Sequence, residues 1–155
     1  MKIDKLEVIA AESGLTKERI IETVSKMNKA SPARLAQAFD ADSIVGPGHI
    51  RFAFFHALKA FENKKNLMRD RALELLLRAA CTRQLKDATD IVGVKDPKNI
   101  VIGFVGDKKR ILRLLEAKER RFAQNKSNVI RLFGLDKTRD LEQQMIERMV
   151  LLQLD

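Results

Sequence analysis

The stretches that read as β-strands are few and unevenly spaced, and that spacing constrains the fold more than any other feature of the chain. Leu6 to Ala11, with Val8 and Ile9 near its centre, ends at Ser13-Gly14 and reads as a short strand. Arg34–Val45 alternates loosely through Leu35, Ala38 or Phe39, Ala41 and Ile44, then closes at Gly46-Pro47-Gly48, and reads as a second. Ile100–Val105 is a third, buried and running into Gly106-Asp107. Two or three helices stand between the second and the third, so regular β-α-β alternation is excluded. The expectation is an α+β fold, a small mixed or antiparallel sheet packed against several helices. At 155 residues, 45% of them apolar and without repeat or linker, residues 1–155 are expected to form a single domain.

The helices follow from periodicity and caps. Thr16 can cap Lys17–Lys29, in which Ile20, Ile21, Val24 and Met27 recur at helical spacing until Ser31-Pro32 breaks it. His49–Asn63 reads as a helix apolar on nearly every side: Ile50, Phe54, Ala57, Leu58 and Phe61 share one face, and Phe52, Phe55, His56 and Lys59 the other. Arg69–Thr82 and Arg83–Val92 follow, the second ending at Gly93, a candidate left-handed cap. Asp107 should cap a basic helix over Lys108–Phe122, with Asn125–Leu135 and Lys137–Leu154 as the last two.

A search for catalytic chemistry finds none. His49 and His56 lie seven apart, roughly 10 Å along a helix, too far to chelate one ion together. Cys81 has no second cysteine and reads as a buried apolar thiol, and no serine stands in a nucleophile elbow. Asp40 and Asp42 can share a strand face, yet a capping role explains them as well. Gly46-Pro47-Gly48-His49 opens a helix where backbone amides can meet an anion, but it lacks the lysine of a P-loop and the third glycine of a dinucleotide fingerprint. Neither a metal nor a cofactor is expected. A single cysteine suits a reducing compartment, the opening MKIDKLEVIAAESG is too charged for a signal peptide, and no run approaches about 18 apolar residues. A cytoplasmic location, with no membrane contact, is the expectation.

Charge is more informative. Thirty Lys and Arg against 21 Asp and Glu leave a net +9, which points to a polyanionic partner. The surplus gathers around Lys59, Lys64 and Lys65, between Arg69 and Lys86, and in the run Lys108 to Arg121. Arg78 sits within an apolar stretch, and Arg83-Gln84 stands between two helical pieces, where an arginine fork can reach phosphate or base edges. Phe52, Phe55, His56 and Lys59 can form a stacking platform. The nucleic-acid candidates are therefore Lys59, Arg78, Arg83, Gln84, Lys86 and His56. In the last helix an apolar arc of roughly 200° exceeds the ~100° that packing on one domain requires. Its stripe Leu141, Met145, Met149 and Leu152 is the candidate partner surface, with Ile146, Val150 and Leu154 as a neighbouring stripe.

The order Gln37-Ala38-Phe39-Asp40-Ala41, Gly46, His49-Ile50, His56-Ala57-Leu58-Lys59-Ala60-Phe61, Glu74-Leu75-Leu76-Leu77 and Arg83-Gln84-Leu85 resembles the small non-catalytic KEOPS subunit, the TPRKB (PRPK-binding protein) family, in a short archaeal-like form. Glu147-Arg148 before the apolar run Met149–Leu152 is similar to that family's ending. The likeness is dense from about Ala36 to Gly106, and Cys81-Thr82 departs from it where the family usually has a small residue and then glycine or a second polar residue. The resemblance implies a subunit without an active site or small-molecule substrate. It would dock on a PRPK-type kinase/ATPase, which holds the Kae-type transferase that makes N6-threonylcarbamoyladenosine at position 37 of tRNA, and would grip the tRNA 3′ CCA end. Two other classes compete: a helix-turn-helix DNA-binding regulator using Arg83, Gln84 and Lys86, and a small enzyme using Asp40, Asp42 and His49.

Overall fold

A computed structural model of the chain describes residues 5–31 and 33–154, with side chains as far as 152. Pro32, offered above as a helix breaker, and the Leu154 side chain lie outside the described residues. Four strands form one antiparallel sheet: β1 (Leu6–Ser13), β2 (Ala36–Asp40), β3 (Ile100–Val105) and β4 (Ala117–Arg120), in the order β2-β3-β1-β4. Around it lie α1 (Lys17–Ala30), α2 (Pro47–Glu62), α3 (Arg71–Ala80), α4 (Leu85–Val92), α5 (Lys108–Leu114), α6 (Lys126–Phe133) and α7 (Leu141–Leu154). The α+β expectation holds, and the sheet is antiparallel rather than mixed.

The period of two along each strand sorts the core into two layers. On one face Ile9, Ala11, Ala38, Ile100, Ile102 and Phe104 pack with Ile20, Val24 and Met27 of α1 and Ile111 of α5. On the other, Leu6, Phe39, Val101 and Val105 pack against Ile50, Ala53, Phe54 and Ala57 of α2, which is covered in turn by α3 and α7. This central position is why α2 is apolar nearly all round. Gly103 makes the approach possible: a Cβ there would lie 2.7 Å from the Phe54 ring and 2.8 Å from Ile50.

Several local expectations change. The second strand ends at Asp40, because the Asp40 carboxylate accepts from Asp42 N–H (3.3 Å) and Ser43 Oγ–H (2.7 Å) and winds Ala41–Ser43 into a 3₁₀ turn. Asp42 is therefore off the strand, and Asp40 is the cap of the turn rather than half of a carboxylate pair on one strand face. Gly93 is extended (φ −66°, ψ 154°), not left-handed; it is glycine because a Cβ would collide with the Thr89 carbonyl. The left-handed cap falls on Cys81 instead (φ 56°, ψ 43°), ending α3 at the position where the resemblance departs from its family. The basic helix expected to reach Phe122 stops at Leu114. Glu116 turns left-handed (φ 47°), and the charged stretch Ala117–Arg120 pairs as an edge strand on β1. Thr16, Asp107 and Asn125 cap their helices through Arg19 N–H, Lys109 N–H and Asn128 N–H.

Candidate nucleic-acid and partner surfaces

The predicted cations divide into one that folding encloses and several that it leaves at the surface. Arg78, proposed from sequence as a phosphate contact, is 3% exposed. Its Nε and Nη2 donate to Glu74 Oε2 at 2.9 and 2.8 Å, while Glu74 Oε1 accepts from Leu67 N–H and Met68 N–H, both at 2.7 Å. A buried carboxylate with four donors ties the loop before α3 to the helix, and its arginine cannot reach a ligand. Arg78 is removed from the candidate site.

His56 is also inside, packed against Phe55 (ring centroids 5.5 Å, T-shaped) and Phe52 (6.0 Å). It supports the two rings rather than presenting itself. Phe52 and Phe55 are 36% and 42% exposed, meet edge to face at 6.3 Å, and with Leu6 and Arg51 line an open depression of about 240 Å³. Exposed Lys59 lies 5.9 Å from the Phe55 centroid and 3.7 Å from Glu62. Two rings and a cation thus stand together on the surface of α2, which spends most of its other side chains in the core.

Arg83, Gln84 and Lys86 are exposed at the junction of α3 and α4. Arg83 Nη2 donates to the Leu152 carbonyl (3.2 Å), joining this junction to the end of α7. Arg83 and Lys59 therefore belong to two separate groups of contacts. Nearby, Ala80, Ile91, Leu132, Leu151 and Leu152 line a shallow groove of about 410 Å³.

The partner stripe is reversed relative to expectation. Leu141, Met145 and Met149 are buried in the main core, where α7 lies against α2, and Leu152 is half-buried. Among its described side chains, the apolar residues that α7 leaves outside are Val150 (43% exposed) and Leu151 (62%), beside half-buried Ile146. Leu151 belongs to neither stripe of the helical wheel; its only signal in sequence is the unbroken apolar run from Met149 to Leu152. The Glu147-Arg148 pair holds the framework: Glu147 accepts from Arg139 Nη2 (2.9 and 3.1 Å), and Arg148 caps the end of α6 through the Phe133 and Gly134 carbonyls.

The chemical alternatives lose their residues. His49 is fully buried, its Nδ1 accepting from Val45 N–H (3.1 Å) and its Nε2–H donating to the Ala79 carbonyl (2.8 Å). Burial pushes its pKa down to about 4, so the ring is a neutral brace between α2 and α3. The glycines that open α2 face the Glu142 carboxylate of α7, which a Cβ at either position would strike, so that helix start already has an anion over it. Burial pushes the Cys81 thiol up to about 12, with the charge of Arg148 pulling the other way, and its Sγ–H faces the Arg78 carbonyl. Among the described residues, no group of three or more His, Cys, Asp or Glu side chains is placed to hold a metal, and no helix is long and apolar enough to cross a membrane.

No family model matches the chain. Among curated proteins it is similar to the KEOPS complex subunit Cgi121 of Pyrococcus abyssi, 40% identical over 53 residues, which are 34% of this chain and 31% of that relative. The matched stretch thus spans about a third of the relative's length.

Proposed function

We propose that the chain is a non-catalytic, tRNA-binding subunit of a KEOPS-type assembly, acting in N6-threonylcarbamoyladenosine modification of tRNA. Its likeness to a KEOPS subunit supports the assembly, and the surface chemistry supports the role. The observation that carries the reading is the exposed Phe52–Phe55 pair beside Lys59, on a helix that otherwise supplies the core. Unpaired bases offer π faces to such rings, and the flanking cation meets their phosphates. Among unpaired stretches of tRNA, the resemblance to the KEOPS small subunit directs this description to the single-stranded 3′ CCA end. Arg83, Gln84 and Lys86 add a second exposed polar group at the α3–α4 junction. Val150 and Leu151, with the groove beside them, are the surface offered to a PRPK-type kinase/ATPase, and through it to a Kae-type transferase.

Filter binding tests the role directly. Intact tRNA should be retained with salt-sensitive affinity, tRNA lacking its CCA should be retained much less, and Lys59→Glu or Arg83→Glu should weaken the intact tRNA selectively. Equal retention of the two tRNAs overturns the CCA assignment. Preference for duplex DNA over tRNA would restore the helix-turn-helix reading, with α4, which begins beside exposed Arg83 and Gln84, as its recognition helix.

A further inference from the structure

The basic run between 107 and 121 is not used by the site above, and the sheet separates it from α2: α5 packs on the face built with α1, α2 on the other. Seven basic side chains stand there against three acidic ones. Two of the acids are already engaged, Asp107 as the cap on Lys109 N–H (3.0 Å) and Glu119 in an ion pair with Lys108 (3.0 Å). Lys109 and Arg113, one helical turn apart on α5, are exposed, as is Arg121 just beyond β4. The scaffold beneath them is fixed: Gly14 N–H donates to the Glu116 carbonyl (2.9 Å), and β4 is in register with β1 from Ala10↔Arg120 to Ser13↔Ala117.

Edge-strand protection explains charges on β4, where Lys118 and Arg120 discourage pairing with another sheet. It does not explain Lys109 and Arg113, which are on a helix. A membrane surface would ask for a broad apolar face, but Ile111 and Leu115 of this unit are buried and leave only Leu114 outside. No exposed ring lies among these cations to stack a base. What remains is a cluster of exposed long cations on a hydrogen-bonded backbone, suited to phosphates.

We propose that the α5–β4 unit is a second RNA contact, which takes the sugar–phosphate backbone of a duplex without regard to sequence. This rests on the reading of the chain as a tRNA-binding protein and extends it to a different part of the same ligand, the paired stem rather than the free end. The test compares the wild-type chain with Lys109→Glu/Arg113→Glu, both exposed positions, on intact tRNA, on tRNA without CCA and on a blunt RNA duplex. Circular dichroism and melting confirm that the variant folds. Duplex binding by the variant should fall at least about tenfold, and the slope of log affinity against log salt should shrink by about two, as two phosphate contacts are lost. The preference for CCA-ended tRNA should survive. If the folded variant holds the duplex as the wild type does, this inference falls while the CCA reading stands. If the wild type ignores the CCA end but holds the duplex, and the variant loses it, the CCA reading falls and this one stands. Binding of neither RNA removes both, and retention on phosphatidylserine vesicles without retention on duplex overturns the RNA assignment in favour of a membrane.

Discussion

Helices α2 and α3 lie against each other and distribute their residues in opposite senses. α3 takes a glutamate and an arginine into the interior, whereas α2 holds two phenylalanines at the surface. The buried charges are paired with one another, and the chain that precedes α3 donates twice more to the carboxylate. The rings are 36% and 42% exposed, with a cation alongside Phe55. A paired charge inside a protein serves the framework; exposed rings on a helix that supplies the core are available to something else. Both departures from simple patterning are visible as departures in the sequence, and only contacts tell which is which.

The comparison can be broken most forcefully at Arg78. Arg78→Ala leaves the Glu74 carboxylate buried without its countercharge and should cost about 3–5 kcal/mol of stability, read by urea unfolding. A loss below about 1 kcal/mol would mean that the arginine is not held as described. Met145→Ala, which empties a core position on α7, should cost about 2–5 kcal/mol, while Leu151→Ala should stay within about 0.5 kcal/mol and lower affinity for a co-purifying kinase subunit instead. His49 sharpens the contrast through pH. Its folded-state pKa of about 4 lies below the ordinary 6.5, so its contribution is complete above about pH 6.5. As the pH falls from there toward 4, the unfolded chain takes up a proton that the folded one refuses, and about 3 kcal/mol should be lost. In His49→Gln that part of the acid limb should flatten, although the variant starts less stable at pH 7. The stability effect is also expected to be small at Phe55→Ala, no more than about 1 kcal/mol, with tRNA retention falling while melting moves little.

How far the fold could be read beforehand depended on whether the signal was local. β1 and β3 announced themselves through apolar runs, and Thr16 and Asp107 through their capping positions. β4 did not, because Ala-Lys-Glu-Arg is good helix-forming sequence and becomes a strand only by pairing with β1 across a left-handed Glu116. The surface of α7 was half legible. Periodicity showed an arc too wide for one neighbour, but the choice of Met145 and Met149 for the inside depended on α2, which no local pattern encodes. Lys59, Arg83, Gln84 and Lys86 emerged at the surface as read. Arg78 did not, since an i,i+4 pair with Glu74 is as common on a helix surface as inside one, and only the packing around α3 encloses it.

The Asn28 side chain has a consequence for how the molecule behaves among its own copies. Its amide donates to the Ala36 carbonyl and its Oδ1 accepts from Ala36 N–H, both at 2.9 Å, and the Gln37 Oε1 accepts from Ala38 N–H at 2.9 Å. Those are groups on the open side of β2, the ones a foreign strand would seek first. At high concentration, or while newly made chains crowd together, that margin of the sheet has three of its outward groups already occupied, which leaves less for a neighbouring strand to pair with. Asparagine at position 28 thus acts as a terminal stop for the sheet, and Asn28→Ala would reopen the edge that it seals.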